Sequence, residues 1–206
     1  ISDMGLKSSL LVFFWILISC NISAQQVQTI VQTGHYSSVT AVCYSFDGKL
    51  IATGSSDKTV KLWRRSDGRE IRSYQGNTSG IVKVSINNQV TALMVVDSRG
   101  SVTIWDLNTG AVIRQFKQES DRFTCAVFHS NGTKIITGSL KSFISVWDIQ
   151  TGNRIMEIRA VPANHEYAKG YEYAETGSVA WSNDGRFVVA GVADYTAILW
   201  DAETGK

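Results

Sequence analysis

Proline is nearly missing from this chain, at one residue in 206. Its ring cannot donate to a β-ladder, so its scarcity clears the way for strands, and 17 glycines supply turns between them. Cysteine is scarce too, limited to Cys20, Cys43 and Cys125. No Cys-x-x-Cys or Cys/His ligand spacing exists, and the three histidines, His35, His129 and His165, form no His-x-x-x-His pair, so no metal site is implied. Cys43 and Cys125 lie in apolar strand-like runs and read as small buried hydrophobes, a disulfide between them being the alternative. His129, beside Ser130-Asn131-Gly132, reads as a solvated turn residue. Charge of one sign is lacking as well. A formal net charge of +2 gives no general pull toward nucleic acid or anionic membranes. There is no Gly-rich phosphate loop, no Gly-x-Ser-x-Gly elbow and no carboxylate pair that stands out for glycoside chemistry. No cofactor and no catalytic residue is indicated.

What is present begins with a leader. Residues 1–24 divide into Ile1-Ser2-Asp3, upstream of a plausible start at Met4, and a stretch from Met4 to Ala24 that reads as a secretory signal. Lys7 gives the positive end, Leu10 to Ile18 the apolar stretch, and Ser23-Ala24 a small-residue cleavage site. The apolar stretch is far below the about 20 residues of a membrane span. Leu17-Ile18-Ser19-Cys20 also resembles a bacterial lipobox, in which Cys20 becomes the lipidated terminus, so cleavage after Ala24 and lipidation at Cys20 both stay open. The expectation is an exported bacterial protein: periplasmic, extracellular or surface-anchored, touching membrane only through the leader or that lipid.

The body of the chain repeats. Trp63, Trp105 and Trp147 stand 42 residues apart, and Trp200 follows after 53, which places an insertion at about 161–175. Each Trp closes an alternating run: Thr59-Val-Lys-Leu-Trp63, Ser101-Val-Thr-Ile-Trp105, Phe143-Ile-Ser-Val-Trp147 and Thr196-Ala-Ile-Leu-Trp200. Period-two alternation predicts strands. Asp106, Asp148 and Asp201 follow three of the four tryptophans. Asp47-Gly48, Asn131-Gly132 and Asp184-Gly185 mark hairpin turns, which Asn87-Asn88-Gln89 replaces in the second repeat. Each unit reads as four strands joined by three turns.

These motifs resemble the WD40 repeat: Gly34-His35, Asp47-Gly48-Lys49 through Asp57, Lys61-Leu-Trp63 and the later Trp-Asp pairs, over residues 27–206. The resemblance implies an all-β WD40-type β-propeller with four recognisable blades, at about 34–75, 76–117, 118–159 and 172–206. Family rings usually have about seven blades. Either Val27 to Val31 supplies the outer strand of the fourth blade and the ring closes with four, or this is a fragment of a larger, seven-bladed ring. The resemblance further implies a structural hydrogen-bond network of His35, Thr53, Asp57 and Trp63, with the blade tryptophans Trp63, Trp105, Trp147 and Trp200 packing between sheets. At the network positions the second and third repeats carry Asn77 and Glu119, then Arg99 and Lys141, so only the first repeat holds the complete set, and the later blades are expected to lean on packing.

The functional expectation is a non-catalytic scaffold that binds proteins or peptides, with no role in nucleic-acid binding. Candidate contact residues are His165, Tyr167, Tyr171 and Tyr173 in the insertion, with Arg99, Lys141 and Tyr195 at hairpin turns of the same edge. Arg64, Arg65, Arg69 and Arg72, with Lys61, read as a solvated strand end balanced by Asp67 and Glu70, or else as a phosphate-binding patch. The first repeat also resembles secreted bacterial WD40 proteins, some of which carry a caspase-like domain. A second expectation is therefore the recruiting or regulatory propeller of a caspase-like cysteine peptidase whose catalytic part lies beyond Lys206. A propeller enzyme with a site in its channel finds no support in the apolar inner runs Val39 to Tyr44 and Thr124 to Phe128.

Overall fold

A computed structural model describes residues 34–160 and 175–205. The leader with Cys20, the run Val27 to Val31, and His165, Tyr167, Tyr171 and Tyr173 lie outside the described residues. Every regular element among those described is a β-strand. The first sheet is formed by β1 (Val39–Tyr44), β2 (Leu50–Ser55), β3 (Val60–Arg64) and β4 (Glu70–Tyr74). The second contains β5 (Ile81–Ile86), β6 (Ala92–Asp97), β7 (Val102–Asp106) and β8 (Val112–Phe116). The third contains β9 (Phe123–Phe128), β10 (Lys134–Ser139), β11 (Phe143–Asp148) and β12 (Arg154–Arg159). The fourth has β13 (Thr176–Trp181), β14 (Phe187–Val192) and β15 (Ala197–Asp201).

Strands follow one another as antiparallel meanders in every sheet. The period of 42 survives in the pairing. Trp63, Trp105, Trp147 and Trp200 each sit in the third strand, opposite Ile51, Leu93, Ile135 and Val188 of the second. In the first three sheets the ladder to the fourth strand shifts at this tryptophan, an irregularity that repeats from sheet to sheet. The turn that lacks glycine in the second repeat still forms. Val90 takes the left-handed conformation (φ 56°), and the Asn87 carboxamide accepts hydrogen bonds from the Thr91 and Ala92 amides at 2.9 Å. A β-branched residue there carries strain that asparagine's side-chain bonds offset.

The sheets pack in chain order, first on second, second on third, third on fourth. Each interface has its own apolar cluster. Ala52, Val60, Leu62 and Tyr74 of the first sheet meet Ile81, Val84, Leu93, Val95 and Trp105 of the second. Met94, Val102, Ile104 and Phe116 then meet Phe123, Ala126 and Ile135, and Cys125, Ile136 and Ile144 meet Val179, Val188, Ala190 and Trp200. Cys43 and Cys125 belong to different sheets and are both free thiols, so the bridge between them is absent. Burial raises both thiol pKa values above the ordinary range. His129 belongs to the turn before Gly132 and is half-buried rather than fully solvated. Its ring meets Trp181 edge-on at 4.7 Å, which joins the third sheet to the fourth.

The same repeat positions have opposite fates at the two ends of the stack. Val84 and Ile86 are 5% and 8% exposed against the first sheet, whereas their equivalents Val42 and Tyr44 are 65% and 60% exposed. At the other end Leu199 is 62% exposed, although its equivalent Leu62 is at 2%. Among the described residues, nothing covers the leading face of the first sheet or the trailing face of the fourth.

Candidate functional site

Alternate turns fall on opposite edges of each sheet. The upper edge carries the turn between second and third strands; the lower edge carries the other two. The framework of the upper edge is best seen in the first sheet. The Trp63 indole N–H donates to the Thr53 hydroxyl at 2.8 Å. That hydroxyl lies 2.8 Å from His35 Nε2, and His35 Nδ1 lies 3.0 Å from Asp57 Oδ2. Asp57 also accepts the amides of Tyr36 and Thr59 and the Thr59 hydroxyl. A chain of donors thus runs from the middle of the sheet to the turn at its upper edge. Burial alone would raise the Asp57 pKa. The Thr59 hydroxyl and amide, the Tyr36 amide and His35 outweigh it and hold the carboxyl well below the usual range.

The fourth sheet keeps the carboxylate in place, Asp194 accepting the Thr196 amide at 3.0 Å, whereas the second and third solve the same problem with different residues, which fixed spacing does not reveal. In the second, Asp97 takes over from a position two residues earlier. It accepts the Arg99 and Ser101 amides and the Thr78 hydroxyl at 2.8–3.1 Å. In the third, Asp121 accepts the Lys141 amide at 3.2 Å, and Thr137 accepts the Trp147 indole at 2.9 Å. Trp105 has Val95 where Thr53 and Thr137 stand, and its indole nitrogen is buried without a partner.

On this scaffold Arg99 and Tyr195 are exposed and Lys141 half-buried, each at the turn between second and third strands. Tyr195 is 91% exposed and left-handed (φ 69°). Arg122, missed in the sequence because it sits in an irregular connection, joins the row: the Leu140 amide bonds its carbonyl at 2.9 Å, and the Phe123 amide bonds Gly100 at 3.4 Å. Beside them a groove of about 300 Å³ is lined by Val82, Ser98, Arg122, Phe123, Leu140 and Glu175, among others. The arrangement offers contact area and mixed charge. Among the described residues no group of His, Cys, Asp and Glu is arranged to hold a metal.

The cluster of arginines splits. Arg72 leaves it and reaches the second sheet, donating to the Asn108 and Thr109 carbonyls at 3.0 and 2.8 Å. Arg114, 42 residues on, bonds the Ile149 and Gln150 carbonyls of the third sheet in the same way. Lys61 is buried and paired with Glu70 at 2.6 Å. Arg64, Arg65 and Lys49 remain at the lower edge around a groove of about 650 Å³.

A family model described as WD domain, G-beta repeat, matches residues 25–64, 110–148 and 173–201. The chain belongs to the WD40 family. Its four sheets are WD40 blades, and WD40 repeats generally act as non-catalytic scaffolds that bind proteins. Among curated relatives, the probable cytosolic iron-sulfur protein assembly protein 1 of Mycosarcoma maydis is 35% identical over 34% of this chain and 16% of its own length. The WD repeat domain-containing protein 83 homolog of Dictyostelium discoideum is 41% identical over 29% of this chain and 19% of its own. Subunit I of eukaryotic translation initiation factor 3 from Schizosaccharomyces pombe is 28% identical over 33% and 21%. The chain thus spans about a fifth or less of the relatives it matches.

Proposed function

We propose that this WD40 chain is a protein-binding scaffold whose upper edge is the contact surface. The observation that supports it is the contrast between a hydrogen-bonded framework and the side chains it displays. The turns are fixed by Asp57, Asp97, Asp121 and Asp194, while Arg99 and Tyr195 on them and Arg122 beside them are exposed. Rigid turns carrying Tyr and Arg lose little entropy when they bind. His165, Tyr167, Tyr171 and Tyr173, outside the described residues, stay candidate contacts in this proposal. Affinity capture with the wild-type chain, an Arg99→Ala/Lys141→Ala/Tyr195→Ala variant and a lower-edge Phe46→Ala control tests the reading. Partners lost only with the upper-edge variant support it; partners retained by that variant overturn it.

The place of action in this proposal is outside the cytoplasm, with the leader either cleaved after Ala24 or lipidated at Cys20. Mass spectrometry of the mature N-terminus decides between the two. A narrower reading makes the propeller the recruiting part of a caspase-like cysteine peptidase. It rests on the resemblance of residues 31–58, and a reading frame after Lys206 without a His and Cys pair would remove it.

A further inference from the structure

The lower edge of the first sheet departs from the repeat at adjacent positions. Where the following sheets have Asp106-Leu107, Asp148-Ile149 and Asp201-Ala202, the first has Arg64-Arg65. The difference is physical. Asp106 and Asp148 tie their own turns by accepting the Thr109 and Thr151 amides at 2.7 Å, and Leu107 and Ile149 are buried in the interfaces between sheets. Arg64 and Arg65 do neither job. Asp67 caps the turn instead by accepting the Arg69 amide at 3.1 Å, and both arginines are exposed.

The result is an excess of cations around one groove of the lower edge. Lys49, Arg64, Arg65 and Arg69 face two carboxylates, Asp47 and Asp67. Asp67 is shared by Arg64 at 2.9 Å and Arg69 at 3.8 Å, and Asp47 pairs with Lys49 at 3.6 Å. Among the described residues, the Arg65 side chain reaches only the Gly48 carbonyl, at 3.4 Å. The groove of about 650 Å³ between them is walled by Gly48, Lys49, Leu50, Arg64, Arg65 and Ser66. Its volume suits a short peptide segment, and paired guanidiniums match carboxylate geometry.

We propose that this groove binds an acidic peptide segment of a partner protein, at a second site separate from the upper edge. A membrane or a nucleic-acid duplex fits less well. Either would lie across the whole edge and meet Asp106, Asp148, Asp184 and Asp201, which the following sheets place there, whereas a peptide needs only one sheet.

The test uses the 206-residue chain and a fluorescein-labelled peptide of about ten alternating Glu and Leu residues, read by anisotropy. The peptide binds, a Gln/Leu version does not, and added salt weakens the complex. Arg64→Asp/Arg65→Leu installs the pair found in the second repeat and lowers affinity about tenfold or more. The Arg99→Ala/Lys141→Ala/Tyr195→Ala variant leaves it unchanged, which separates this site from the upper edge. Circular dichroism checks folding of each variant, and Arg65→Leu alone serves if the double variant unfolds. Failure of the acidic peptide to bind, or equal binding by the variants, overturns the proposal. So does tighter Arg65-dependent binding to phosphatidylserine vesicles or to an RNA oligonucleotide.

Discussion

At the scale of single residues, the first repeat was legible and the second and third were not. Gly34-His35, Thr53, Asp57 and Trp63 stand at recognisable spacings, and their side chains lie within hydrogen-bonding distance of one another. In the second and third repeats the carboxylate moves to Asp97 or Asp121, from the turn to a strand end or a connection, while the last keeps Asp194 at the turn. A comparison at fixed spacing sees only Arg99 and Lys141 there and misses that the turn is still held. The chemistry persists because a buried turn amide needs an acceptor wherever one can be supplied. Asp57 makes this measurable. Its folded carboxyl is held below its unfolded value, so the stabilisation is complete above the ordinary carboxylate range of about 3.9 and lost as pH falls below it. The melting temperature of the wild type should therefore drop steeply below about pH 4, and Asp57→Asn should flatten that drop. Trp105 gives the opposite kind of test. Its indole N–H has no partner beside Val95. Val95→Thr supplies the hydroxyl that Thr53 and Thr137 provide elsewhere, and should raise stability by about 1 kcal/mol in urea denaturation.

At the scale of strands and turns, periodicity placed all four tryptophans in third strands because alternation is forced by one buried face. The clasp between sheets was hidden. Arg72 looked like one more cation beside a turn, since its partners are backbone carbonyls 36 and 37 residues away and leave no mark in side-chain pattern. Gly110 completes the clasp. It is left-handed (φ 77°), and a methyl group there would run into the Arg72 guanidinium. Gly110→Ala should cost about 2 kcal/mol, read as a lower urea midpoint; in an Arg72→Ala background the penalty should shrink toward the backbone part alone.

At the scale of the molecule, sequence gave the order of the sheets through their spacing but not which faces would be covered. Leu62 and Leu199 are the same residue at the same repeat position, and only packing separates them. Leu62→Ala should cost about 2–5 kcal/mol, as for other core leucines. Leu199→Ala should cost well under about 1 kcal/mol, since its side chain is already in water. Equal losses in calorimetry would mean that the trailing face is covered in solution.

The arginine clasp has a mechanical corollary. Arg72 ties the first sheet to the second and Arg114 the second to the third, while Met156 at the corresponding place lies near Gly205 and has no guanidinium to offer. Cohesion is therefore handed from neighbour to neighbour, and the last junction rests on contacts such as His129 with Trp181 in place of an arginine. Pulled between its termini in an optical trap, the chain should peel in separate rupture steps, and Arg72→Ala should lower the force of one step only.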